Sequence, residues 1–114
     1  ENLENEYFFY EHDKKRTITY VSPSIKNILG YTQTEFMEHH LDYLVDSEVN
    51  RRVANFTQLC LEGKQQPTYK AEIYDNDGVI HILEISEFPV VDENGKTVGV
   101  QGIGHDITER IKAE

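Results

Sequence analysis

Two tetrapeptides, Asp75-Asn-Asp-Gly78 and Asp92-Glu-Asn-Gly95, constrain this chain more than any other feature. In each, an aspartate carboxylate can bond the backbone ahead of it, and a glycine supplies the left-handed conformation that a tight hairpin turn needs. The stretches around them are rich in β-branched, aliphatic and aromatic residues, which places strands at about 68–75, 79–91 and 96–106. Neighbouring strands joined by so short a turn are antiparallel. The second half of the chain is an antiparallel meander before anything else is considered.

The first half supplies two more strands and the helices. Tyr7 to Tyr10 and Ile18 to Val21 read as strands, with His12 to Arg16 as their polar connection. Ser22 suits a helix cap, Pro23 the first helical position and Gly30 a left-handed stop. Thr32 with Glu35 forms a capping box for a second short helix. A longer helix is expected from Ser47 to Glu62, with Val49, Val53, Phe56 and Cys60 on one face and Gly63 ending it. The order β-β-α-α-α-β-β-β predicts an α+β fold, a five-stranded antiparallel sheet with helices packed across one face. In the central strand Ile82, Phe88 and Val90 point one way, and Leu83, Ile85 and Val91 the other. With both faces apolar, a flanking helix or another subunit is expected to cover the second.

A length of 114 residues suits one domain with its own core. Acidic residues number 21 against 11 basic, for a formal charge of -10. That field repels phosphate backbones and anionic lipid, which argues against nucleic acid partners and direct membrane contact. The single cysteine, Cys60, allows no internal disulfide and no cysteine-rich metal site, and fits a reducing, cytoplasmic location. No apolar run reaches the length of a membrane span or a signal peptide. Because the sequence opens on Glu1 rather than Met, a longer parent protein is expected.

Two stretches stand out, TITYVSPSIKNILGYTQTEF (17–36) with its Gly30-Tyr31 pair, and GVIHILEISEFPVVDENGKTVGVQGIGHDITER (78–110) with Asp106-Ile107-Thr108 near its end. The first resembles the second strand and first helices of a PAS domain, and the second its last two strands and closing Asp-Ile-Thr motif. The resemblance covers roughly residues 7 to 110. The resemblance implies a sensory module, with residues 1–6 as a flank, 7–108 as the PAS domain and 109–114 as the start of a signalling helix. That helix would lead to an output domain in the same parent chain, such as a histidine kinase or a diguanylate cyclase. Coupling then falls to Asp106, Ile107, Thr108 and Arg110. The residue chemistry allows this, since Asp106 and Thr108 can satisfy backbone donors where strand becomes helix, and Asp106 can pair with a cation such as Arg110. Ordinary capping with no signalling role is the alternative.

The resemblance also sets tests for cofactors. In the flavin-binding subgroup the photoactive run would fall at His40-Leu41-Asp42-Tyr43-Leu44-Val45, where Leu41 replaces the cysteine and Asp42 the arginine. Its amide contacts to the flavin ring would fall at Ile73, Leu83 and Gly104. Haem-binding members use a histidine on the long helix, and none lies between Ser47 and Glu62. Both cofactors are argued against. Cys60, on the apolar stripe, reads as a buried, inert thiol. Of the five histidines, His81 and His105 lie on neighbouring strands and could form a cross-strand metal pair, yet no further ligand sits at suitable spacing. No metal or cofactor is predicted.

Catalysis is not expected either. Ser22 and Ser24 flank Pro23 where caps belong, and Gly99, Gly102 and Gly104 lie in a strand, where they ease curvature or leave room for a ligand. The family's inward positions map to Ile25, Leu41, Leu44, Val53, Phe56, Ile73, Leu83, Ile85, Val100 and Gly104. If they face a void, it suits a small apolar or aromatic ligand, oriented by Tyr20, Tyr69 or His105. If they face one another they are core, the stronger reading for any one of them. Two functions follow. One is a ligand sensor acting through the Asp-Ile-Thr motif. The other is a ligand-free module that pairs as a homodimer, through flanking segments or the outer sheet face, and holds output domains in register. The aromatic run Tyr7 to Tyr10 supports pairing, and Ile107 with Ile111 could begin a helix–helix seam.

Overall fold

Three aspartates close the three hairpins of this chain, each in the same way. Through Oδ1, Asp75 accepts the N–H groups of Asp77 and Val79, both at 2.9 Å. Asp92 does so for Asn94 and Lys96 at 2.9 and 3.0 Å. Asp13 does so for Lys15 and Thr17 at 2.8 and 3.0 Å. The third residue after each aspartate has positive φ: Gly78 at 79°, Gly95 at 78° and Arg16 at 66°. Arg16 holds a glycine's conformation without being one.

These turns connect the strands of a computed structural model that describes residues 3–114. The strands are β1 (Tyr7–Asp13), β2 (Ile18–Val21), β3 (Tyr69–Tyr74), β4 (Ile80–Val91) and β5 (Thr97–Asp106). They form one sheet in the order β2-β1-β5-β4-β3, with every pair antiparallel. Between β2 and β3 come α1 (Ile25–Leu29), α2 (Gln33–His39) and α3 (Val53–Leu61), and α4 (Thr108–Ala113) follows β5. The α+β class and the five-stranded antiparallel sheet expected from the sequence are what the chain forms.

The local signals hold in part. Thr32 and Glu35 form the expected capping box, with Thr32 N–H donating to Glu35 Oε1 at 2.8 Å and Glu35 N–H to Thr32 Oγ1 at 3.1 Å. Gly30 ends α1 at φ 84°, and a Cβ there would lie 2.1 Å from Asn76 Oδ1. The expected cap at Ser22 is not made, since α1 starts at Ile25 and Pro23 lies in the turn before it. Instead Phe9 N–H donates to Ser22 Oγ and Ser24 Oγ donates to the Tyr7 carbonyl, so the two serines strap this turn to β1.

Two expectations are corrected. His12 belongs to β1, not to the connection, and is 5% exposed. The helix from Ser47 to Glu62 is broken into a 3-10 turn over Val49–Arg52 followed by α3, and Val49 is exposed rather than on the buried stripe. The break has a cause in Asn50, whose Nδ2 donates to the carbonyls of Val45 and Glu72 while its Oδ1 accepts Glu72 N–H. That side chain clips the segment to the edge strand β3 and holds the turn out of helical register. On the outer face of the sheet Phe9, Tyr20 and Phe88 are each about half exposed within the single chain.

Candidate functional site

Between the inner face of the sheet and the helical layer lies a partly open cavity of about 220 Å³. Phe8, Ile73, Leu83 and Ile85 form its sheet wall, and Phe36, Leu44 and Val53 face them from the helical side. Phe8 meets Phe36 edge-on, with ring centroids 5.9 Å apart. Most of this lining is apolar, as a pocket for an apolar body requires.

One end differs. Glu87 lies on the same wall and is 4% exposed. Tyr10 donates to its Oε2 at 2.7 Å, and Thr57 and Tyr69 donate to its Oε1 at 3.0 Å each. Burial, and then the neighbouring Glu87, push the Tyr10 and Tyr69 hydroxyls well above the usual tyrosine range, so both keep the protons they donate. His12 Nε2 stands 4.0 Å from Glu87 Oε2, too far for a hydrogen bond. His40 also lines the cavity, and burial followed by the nearby His12 lowers its pKa, which keeps it neutral.

Of the ten positions mapped from the sequence, Leu41, Leu44, Val53, Ile73, Leu83 and Ile85 line this cavity. The other four do not. Ile25 is fully buried beside it. Phe56 stacks on Tyr69 with ring centroids 4.6 Å apart, and the Arg52 guanidinium lies 5.4 Å from the Phe56 ring centroid. Val100 packs with Cys60 and Leu61 in a small separate cluster. Gly104 lies under the Phe8 ring, and a Cβ there would stand 2.4 Å from Phe8 Cζ. Gly102 makes room for Tyr10 in the same way, so these glycines admit the chain's own rings rather than a ligand.

Of the polar candidates only Tyr69 reaches the cavity. Tyr20 sits half exposed on the outer face, and His105 stacks on Tyr7 with ring centroids 4.1 Å apart. Sequence reading passed over Tyr10, His12, Arg16, Asn50, Thr57 and Glu87, all of which line the cavity. For Glu87 a signal existed. It follows Leu83 and Ile85 at the alternate spacing that puts all three on one face.

The sheet wall continues directly into the end of β5, because Leu83 pairs with Asp106 across the ladder. Asp106 Oδ1 accepts from the Thr108 N–H at 3.1 Å and from the Thr108 hydroxyl. Thr108 Oγ1 in turn accepts Ile82 N–H at 2.9 Å, and Ile107 N–H donates to the Ile82 carbonyl at 2.9 Å. Ile107 is 1% exposed, so it belongs to the core and not to a helix–helix seam. Arg110 does not pair with Asp106 but with Glu84, at 3.2 Å. The partner of Asp106 is His81, whose Nδ1 lies 2.8 Å from Asp106 Oδ2 and whose Nε2 lies 2.9 Å from Asp75 Oδ2. Burial alone would lower the His81 pKa, but the two carboxylates outweigh it and the net shift is upward. His81 and His105 thus engage different partners. Among the described residues no cluster of three or more metal-ligating side chains forms, and no helix is long and apolar enough to cross a membrane.

A family model for the PAS domain matches residues 5–109. The chain belongs to the PAS domain family. PAS domains are sensory modules and not themselves catalytic. No curated protein matches this one in sequence. Among solved structures, the N-terminal domain of a diguanylate cyclase with a PAS/PAC sensor from Marinobacter aquaeolei superimposes with a TM-score of 0.79 at 16% identity, covering 93% of this chain and 99% of that one. A sensory box histidine kinase/response regulator from Burkholderia thailandensis gives 0.70 at 19%, covering 96% of this chain and 82% of that one. A light-oxygen-voltage domain studied with a flavin analogue gives 0.75 at 22%, covering 93% of this PAS domain and 82% of its own chain. Identities this low establish the shared fold and nothing finer.

Proposed function

We propose that this PAS domain is a ligand-sensing regulatory module. A small molecule with an apolar or aromatic body occupies the cavity, displaces the Leu83 wall, and biases the junction from Asp106 to Arg110 that leads into α4. The observation that carries this reading is the pairing of Leu83, a cavity residue, with Asp106, the first residue of the junction. Residues 7–107 form the sensing unit, and α4, which opens at Thr108, begins the helix that transmits its state to an output domain in the parent chain. A ligand shifts that state only if it binds two arrangements of the junction unequally.

The first test is a native mass spectrum of freshly purified domain beside a denatured one. Extra mass in the native spectrum identifies a retained ligand. Replacing Ile85 with Trp should fill the cavity and remove that mass. Signalling in the parent that is indifferent to Ile85→Trp would overturn the reading.

The half-exposed rings of the outer face favour a second reading, in which copies pair and set the register of their output domains. Phe9 and Ile103 lie side by side across β1 and β5, with Phe88 one row away. Sedimentation at rising concentration decides it, since a monomer throughout would remove this alternative.

A further inference from the structure

We propose that the ligand of this cavity carries a protonated amine, which binds between Glu87 and His12 while a body the size of a single ring fills the apolar end. This rests on the ligand-sensing reading above and names the chemical class of its ligand.

The polar end is short of a donor. His12 Nδ1 lies 2.8 Å from the Asp13 carbonyl oxygen, which only accepts, so Nδ1 carries the ring hydrogen. In that tautomer Nε2 is a lone-pair acceptor, and it faces Glu87 Oε2 across 4.0 Å. Two acceptors at that separation need a donor from elsewhere. The three hydroxyls on Glu87 suit the carboxylate form, which is acceptor-only, and they leave lone-pair capacity on Oε2, where Tyr10 alone donates.

The same end is short of a cation. Glu87 and His12 are 4% and 5% exposed, and a buried carboxylate without a counter-charge is costly. Among the described residues the one lysine or arginine on the cavity wall is Arg16, and its guanidinium is turned to Gln58 Oε1 at 2.9 Å and the Ala54 carbonyl at 3.4 Å. A primary ammonium supplies both missing things, with three N–H donors and one positive charge. A hydroxyl ligand would supply a donor but leave the charge, and a carboxylate ligand would add a second negative charge. For size, a cavity of about 150 Å³ accepts benzene, so about 220 Å³ has room for a ring and a short chain.

The test titrates the whole chain with three probes of similar shape: phenethylamine, propylbenzene and 3-phenylpropionate. Binding is followed by calorimetry and by amide shifts of Leu83 and Glu87. Phenethylamine should bind roughly ten-fold or more tighter than propylbenzene, as a charge-assisted bond to a buried carboxylate requires. Within the Glu87→Gln variant, phenethylamine should lose that preference and bind no tighter than propylbenzene. If propylbenzene binds as tightly as the amine, or 3-phenylpropionate binds best, the amine class is overturned while the pocket stands. A protonated His12 that fills the gap itself would give that same result. If none of the three binds, the ligand-sensing reading falls and takes this proposal with it. Should Glu87→Gln fail to fold, the comparison of probes on the unaltered protein still decides.

Discussion

His81 and Asp106 stand on neighbouring strands with Nδ1 and Oδ2 2.8 Å apart, and this contact ties the DNDG hairpin to the end of β5. Because the folded-state pKa of His81 is raised above its ordinary 6.5, its contribution to stability is full below that value and fades as pH rises through the raised one. Asp75 works the other way. Burial pushes its pKa up, but the N–H groups of Val79 and Asp77 and the His81 ring together bring it below 3.8, so its share is lost only as pH falls through the lowered value. The urea midpoint should therefore decline from about pH 6.5 upward, with faster amide exchange in α4. His81→Gln should flatten that slope, and an unchanged slope would show that another group is responsible.

Arg16 occupies the position that glycine holds in the two sibling turns, at φ 66°. Its backbone carries strain of about 1–2 kcal/mol, of which a flexible glycine relieves part. Arg16→Gly should consequently cost little or stabilise slightly, within about 1 kcal/mol. Arg16→Val, β-branched in a left-handed position, should lose about 1–2 kcal/mol relative to the glycine variant. Equal midpoints for the two variants would mean that the turn does not hold this conformation in solution.

Gly104 is filled from above by Phe8, whose Cζ would lie 2.4 Å from an added Cβ. Gly104→Ala should cost about 1–3 kcal/mol in a chemical denaturation, as overpacking of a dense core does. Phe8→Leu in the alanine background should recover part of that loss. A double-mutant cycle with no coupling between the two positions would contradict the contact.

The Cys60 thiol is fully buried, and burial followed by Glu87 pushes its pKa up to about 11. Folded protein at neutral pH should react with a disulfide reagent only as fast as it unfolds, and fully in denaturant. Rapid labelling under native conditions would place the thiol at a surface.

The strands were legible because their turns are encoded locally. The last three fall within one residue of the bounds that Asp75 and Asp92 imply. His12 was misplaced because a polar residue beside Asp13, Lys14 and Lys15 looks like turn, and only the packing of β1 against β5 shows it buried. The long helix was overextended because side-chain periodicity says nothing about Asn50, whose clip to Glu72 spans parts of the chain that meet only in the fold. The site was half legible for the same reason. Aliphatic alternation locates Leu83 and Ile85, but the hydroxyls around Glu87 come from β1, α3 and β3, and no local pattern gathers them.

The neighbouring strands β1 and β5 are also nearly the two ends of the domain, with Tyr7 opposite His105. A ribosome delivers residues at about 5–20 per second, so β1 emerges on the order of ten seconds before the strand that must lie beside it. During that time one hairpin and its helices wait with open edges, because β4 and β3 cannot join them except through β5. Closing this sheet joins residues from opposite ends of the sequence, a non-local step of the kind that slows folding. The cavity comes into being only when that last strand is laid down, so any ligand present during synthesis meets the domain at the moment its sheet closes.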